Sequence, residues 1–130
     1  MSKNLAAATN SRHLKRSECP ITNALEVLGD KWTLIVIRDL FAGKRTYSEF
    51  QQSAEGIPTN ILAERLKRLE ASGIVKKLPY QEKPVRYEYL LTKQGKGLAD
   101  VLTALKDWGL EYIPGTNTRV IDEYIEGQND

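Results

Sequence analysis

The residues of this 130-residue chain that could do chemistry gather in three places. The densest is the run Gly-Ile-Pro-Thr-Asn-Ile-Leu-Ala-Glu-Arg-Leu-Lys-Arg-Leu-Glu-Ala-Ser-Gly from Gly56 to Gly73. Leu62, Leu66 and Leu69 recur there at helical spacing and form one apolar seam. Pro58 or Thr59 marks the start of the helix and Gly73 its stop. Asn60, Glu64, Lys67 and, beside them, Arg68 lie on the opposite face. Short polar side chains at the tip of such a helix reach base edges in a DNA major groove, and longer cations along it reach phosphates. Thr59 and Asn60 are the base-edge candidates; Lys67 with Arg65 or Arg68 are the phosphate candidates. A helix of this kind standing alone is an ordinary solvated surface helix, so the reading depends on its neighbours.

The second place is a pair of basic loops. Lys83 and Arg86 flank the tip of a hairpin, and Lys44, Arg45 and Thr46 precede a short helix. With Pro58 they complete the candidate DNA-facing set. The third is Cys19, beside Pro20 at the start of a helix. Backbone N–H groups and the helix dipole lower a thiol pKa there, and Lys15 and Arg16 push the same way if near. Two readings stand side by side: a thiolate-prone sensor, or a small structural cysteine.

Enzyme chemistry lacks its parts. A single histidine, His13, supports neither a catalytic triad nor a His-rich metal site. No Gly-x-Ser-x-Gly or Cys-x-x-Cys occurs. Gly95-Lys96-Gly97 follows a strand as a dinucleotide loop would, but Asp100 stands at the third glycine position, where it would meet a pyrophosphate. No catalytic residue, metal or cofactor is therefore expected.

Composition fits one small domain: 41% hydrophobic and 28% charged. No apolar run approaches the ~20 residues a membrane span needs, and no secretory signal is legible. One cysteine excludes an intrachain disulfide. A cytoplasmic protein without membrane contact is expected. The net charge of +2 is unevenly spread. Residues 41–99 carry 11 Lys and Arg against 6 Asp and Glu, a balance of +5, while residues 100–130 carry 2 against 7, a balance of −5. A basic middle points to a polyanionic partner, and an acidic end to a different role.

The elements that must position these residues follow in order. Residues 1–18 read as a mobile arm in which Arg12, His13, Lys15 and Arg16 could touch phosphate. A first helix begins at Pro20, with Ile21, Ala24, Leu25 and Leu28 as its seam and Gly29 as its end. Asp30 caps a second helix through Phe41 that is apolar on nearly every side and so belongs in the core or at a subunit contact. Thr46 and Glu49 form a capping-box spacing for a short third helix, with Tyr47 and Phe50 facing inward. Lys44 and Arg45 suit a very short strand. Joined by a tight turn to the 56–73 helix, the third helix makes a helix-turn-helix whose second member is the reader. Ile74–Tyr80 and Val85–Leu91 alternate as strands around the loop Gln81–Pro84, giving a wing. Thr92 caps one long helix on which Leu98, Val101, Leu102, Leu105, Trp108 and Tyr112 form a stripe running towards Ile113. A small core is already covered without it, so this stripe reads as a partner face, most simply a two-fold contact. The dimer candidates are Ile21, Leu25, Leu98, Leu102, Leu105, Trp108 and Tyr112. Arg119–Glu126 suits a last short helix. The fold expected is mainly α with a small β-hairpin wing: an arm at 1–18, a winged-helix domain with dimerisation helices at both ends at 19–113, and an acidic extension at 114–130.

In this order the local sequences resemble the HxlR-type winged-helix transcriptional regulators, relatives in architecture of the MarR regulators. The matching pieces are Cys19-Pro20, Gly29-Asp30-Lys31-Trp32-Thr33, Gly43-Lys44-Arg45-Thr46-Tyr47-Ser48-Glu49-Phe50, Gly56-Ile57, Leu62 to Glu70, Tyr87 to Gly95 and Trp108-Gly109. They span about residues 19–110. The resemblance implies a homodimer whose first and last helices pair, acting as a bacterial repressor or activator on palindromic double-stranded DNA, with Cys19 matching a sensor cysteine of several members. This sequence departs from the family pattern at Pro58, where a serine cap is usual, so Thr59 is expected to take over the cap. It departs again after Gly115, where no family motif follows. Two alternatives stay open: a winged helix that binds protein, and a regulator answering a small-molecule effector in a cleft between the dimer helices and the DNA-binding part.

Overall fold

The computed structural model describes residues 17–119. The arm cations Arg12, His13, Lys15 and Arg16 and the segment 120–126 lie outside the described residues.

Helix α1, Pro20–Leu28, has proline at its first turn, where a missing N–H costs nothing. Helix α2, Lys31–Phe41, is capped as expected: Asp30 accepts from the Thr33 N–H at 3.0 Å and the Thr33 hydroxyl at 2.7 Å. In the short helix α3, Tyr47–Gln51, the capping box closes, with Thr46 accepting from the Glu49 N–H and Glu49 from the Thr46 N–H. Helix α4, Thr59–Ala71, ends where Gly73 takes a φ of +81°. Leu62, Leu66 and Leu69 are buried, as their spacing predicts, and pack with Val36, Ile37, Leu40, Phe50 and Tyr89 into the core. Each fully buried leucine contributes about 1.5–3 kcal/mol over an exposed one. Tyr47 departs from its expected inward place: its ring lies against Tyr89 but stays partly exposed.

Strands β1, Val75–Glu82, and β2, Val85–Leu91, pair antiparallel from Val75 opposite Leu91 to Glu82 opposite Val85, with an irregularity between Pro79 and Gln81. Strand β2 has the expected bounds, and β1 runs two residues past its expected end. Gln81 and Glu82 pair with Arg86 and Val85, so only Lys83 and Pro84 are left to turn. The expected strand at Lys44–Arg45 does not form. The Tyr89 N–H, donating to the Arg45 carbonyl at 2.8 Å, ties the backbone of that segment to the sheet without extending a ladder.

The expected single helix from Thr92 is two. Thr92 caps helix α5, Lys93–Lys96, which stops after four residues, and helix α6 runs from Ala99 to Tyr112. Gly95 lies within α5 and Gly97 follows at the break, and glycine costs a helix interior about 1 kcal/mol. Gly95 is held against the Ile74 carbonyl so closely that a Cβ would sit 2.2 Å from its oxygen. Helix α6 buries none of its residues, and α1 buries only Leu28. Among the described residues no helix is long and apolar enough to cross a membrane.

Candidate nucleic-acid interface

The turn between α3 and α4 is anchored by buried Ile57 and bent at Gly56, whose φ is +70°. Pro58 stands at the N-cap of α4 with no side chain able to cap it. Thr59 does not take over that cap. It is the first helical residue, and its hydroxyl accepts instead from the Gln51 amide at 3.2 Å, tying the reader to α3. Thr59, Asn60 and Lys67 are exposed, as a reading surface requires.

The arginines of α4 are largely committed. Arg65 Nε donates to Asp30 at 3.1 Å, and its guanidinium also pairs with Glu64. Arg68 donates to Glu64 at 3.0 Å and to Asp30 at 3.4 Å. Burial works to raise the Asp30 pKa, but the Thr33 hydroxyl and N–H, joined by Arg65, outweigh it and hold the carboxylate below its ordinary range. Only 18% of the Arg65 side chain is exposed, so it serves as a tie between α2 and α4 and not as the phosphate contact expected of it. Arg68 keeps an outward edge, and Glu64 is the acid shared by both arginines.

Lys44 is a second correction. Its residue is 8% exposed, and its ammonium lies 3.3 Å from the Ser53 hydroxyl and 3.6 Å from the Asp39 carboxylate. Asp39 is buried and also takes hydrogen bonds from Ser53 and from Arg38, which clamps Glu55 through two contacts of 2.7 and 2.9 Å. This network fastens the helix-turn-helix turn to α2 and draws the Lys44 ammonium inward. A lone carboxylate in the apolar stretch Val36–Leu40 was its sequence signal. Arg45 is exposed and reaches Glu88 at 3.5 Å, while the Thr46 hydroxyl is occupied by its cap.

On the wing, Lys83 and Arg86 are exposed at the tip as expected. An open groove of about 500 Å³ lies between α3 and the hairpin, with Ser48 and Gln51 on one wall and Lys77, Arg86 and Tyr87 on the other. Lys77, which the sequence reading passed over, holds its ammonium 4.3 Å from the centre of the Tyr87 ring.

The candidate partner face divides. Ile21, Leu25, Leu105, Trp108 and Tyr112 are exposed, Trp108 by 60% and Tyr112 by 64%. Leu98 and Leu102 instead pack half-buried against the core, so in this chain they act first as core residues. Cys19 is exposed at the N-cap of α1. It makes no close capping hydrogen bond, yet the polar groups of Thr22, its N–H foremost, and the Ile21 N–H lower the thiol pKa. Among the described residues no three His, Cys, Asp or Glu side chains come together as a metal site.

The model of the HxlR-like helix-turn-helix family matches residues 27–117 of this chain. Over 94 residues the chain is 37% identical to the uncharacterized HTH-type transcriptional regulator Rv3095 of Mycobacterium tuberculosis, covering 72% of this chain and 59% of that protein. It is 36% identical over 96 residues to the uncharacterized HTH-type transcriptional regulator YvaP of Bacillus subtilis, covering 73% of this chain and 89% of that one. Among solved structures, the redox regulator HypR in its reduced form superposes with a TM-score of 0.66 at 33% identity, over 72% of this chain and 92% of that chain.

Proposed function

The chain belongs to the HxlR-like helix-turn-helix family, a family of transcriptional regulators and not of enzymes, and from that premise we propose that it binds an inverted-repeat operator as a homodimer in the cytoplasm. The observation that carries this reading is one of placement. Gln51, bonded to Thr59 at the tip of α4, and Arg86 of the wing border one groove. The reader and the wing thus lie side by side, as simultaneous major-groove and backbone contact demands. Asn60 and Thr59 meet base edges. Lys67, Arg45 and the outward edge of Arg68 meet phosphates, and Lys83 and Arg86 seat the wing. The exposed faces of α1 and α6, with Trp108 stacked near Tyr112 at 5.2 Å between ring centres, supply the two-fold contact. An electrophoretic shift of the DNA upstream of the protein's own gene tests the reading. A specific shift, lost on adding unlabelled duplex of the same sequence, is expected. Failure to bind any duplex would leave a winged helix that docks on protein.

Cys19 is the proposed switch. It is exposed and inclined to the thiolate, it stands on the helix assigned to the dimer contact, and a structural neighbour is named a redox regulator. Attack of the thiolate on a peroxide breaks the O–O bond, giving a sulfenic acid and releasing water or an alcohol. Attack on a disulfide gives a mixed disulfide and releases a thiol. Either product adds a group where the two DNA-reading halves set their angle. A Cys19→Ser protein should bind the operator but stop responding to diamide. A response that survived this substitution would point to a bound effector instead.

A further inference from the structure

The cations of this domain divide by whether a carboxylate already holds them. Arg38, Arg65 and Arg68 are each hydrogen-bonded to acids, Lys44 lies in the buried network, and Arg45 reaches Glu88. Lys77 and Arg86, on the wall of the groove between α3 and the wing, make no ion pair among the described residues. The groove is also lined by hydroxyl-bearing side chains. Ser48, whose hydroxyl lies 3.3 Å from that of Thr46, faces Tyr87 across it. At one end Gln51 bonds to Thr59 at the tip of the reader, and at the other Arg86 leads onto the wing.

We infer that this groove between α3 and the wing is the path of a DNA strand that leaves the tip of the reader, its sugar–phosphate backbone held by the Lys77 ammonium and by the neutral hydroxyls of Ser48 and Tyr87. The inference rests on the DNA-binding reading above and adds three contact residues to it. Three features fit a duplex backbone. The groove is open to solvent and not an enclosed cavity. Its two unpaired cations stand on one wall, leaving the other to neutral donors. The Tyr87 ring fixes the position of the Lys77 ammonium before any phosphate arrives, so less side-chain freedom is lost on binding.

The division between charged and neutral contacts makes the inference testable. A cation that neutralises a phosphate releases counterions and enters the salt dependence, whereas a hydroxyl contributes affinity without doing so. Binding of the full chain to a fluorescent duplex carrying its upstream region would be measured across a potassium chloride series. Lys77→Ala should weaken binding and make the slope of log K against log[salt] shallower by about one. Ser48→Ala and Tyr87→Phe should each weaken binding about two- to tenfold with the slope unchanged. The Phe variant keeps the ring beneath Lys77. All three side chains are at the surface, and unchanged thermal unfolding would show the fold intact. If Lys77→Ala leaves affinity and slope as in the wild type while Arg86→Ala reduces both, the strand bypasses the groove and this inference alone fails. If the wild type binds no duplex at all, the DNA-binding reading fails with it.

Discussion

Asp30 Oδ1 and Arg65 Nε are 3.1 Å apart and join the cap of α2 to the middle of the recognition helix. Asp30 follows Gly29 at the end of α1, and its one carboxylate touches the start of the core helix and the reading helix.

Asp30→Ala should therefore destabilise the chain by about 1–3 kcal/mol, most of it the lost cap and the rest the tie to Arg65. Urea unfolding measures it. The Asp30 pKa is depressed in the folded state, so its contribution is present above the unfolded value of about 3.9 and is lost as pH falls through the lower folded value. The gap between wild type and variant should be full at pH 6 and close as the medium is acidified below pH 4. A gap that widened on acidification would contradict the assignment.

Lys44→Met should cost about 1–3 kcal/mol of stability, because it removes a partner of the buried Asp39–Ser53 pair. It should leave the salt slope of DNA binding unchanged. A slope shallower by one unit would return Lys44 to the phosphate contacts.

Asn60→Ala and Arg86→Ala should separate in a panel of operator variants. The first should flatten preference at one base position, losing about 1–3 kcal/mol of discrimination there. The second should weaken all sequences alike and lower the salt slope by about one. Identical behaviour of the two would undo the division between reader and wing.

Trp108→Ala should act on association and not on the fold of a single chain, since 60% of the residue is exposed in it. A loss of about 2 kcal/mol or more in dimer affinity, roughly 30-fold, is the scale of a buried aromatic anchor. Sedimentation velocity over a concentration series reads it. A wild type that sediments as a folded monomer at micromolar concentration would remove the dimer from the proposal.

The alkylation rate of Cys19 with iodoacetamide should rise with pH through a midpoint below the free-thiol value of about 8.5, following the polar contacts with Thr22 and Ile21. A midpoint at or above that value, with operator affinity unchanged by oxidation, would make Cys19 structural.

Much of the domain was legible because its signals are local. Pro20, Asp30 with Thr33, Thr46 with Glu49, and Gly73 act within one helical turn of the backbone groups they satisfy. The seam of Leu62, Leu66 and Leu69 follows from period alone. The order of helix, turn, reader and wing follows from these.

What only the tertiary structure decided is which polar groups remain available. Arg65 and Lys67 look alike in sequence, yet Arg65 meets an acid 35 positions away while Lys67 stays exposed. Lys44 is drawn inward by Asp39 and by a serine 9 positions on, and Lys77 is set at a groove by a ring across the hairpin. The need for glycine at position 95 has the same origin, since Gly95 meets the carbonyl of Ile74 from a different element. Helical periodicity reports which face a residue occupies. It carries no term for a charge or a backbone atom brought alongside by the folding of the rest of the chain, and that is what separates the cations left to DNA from those already spent on the fold.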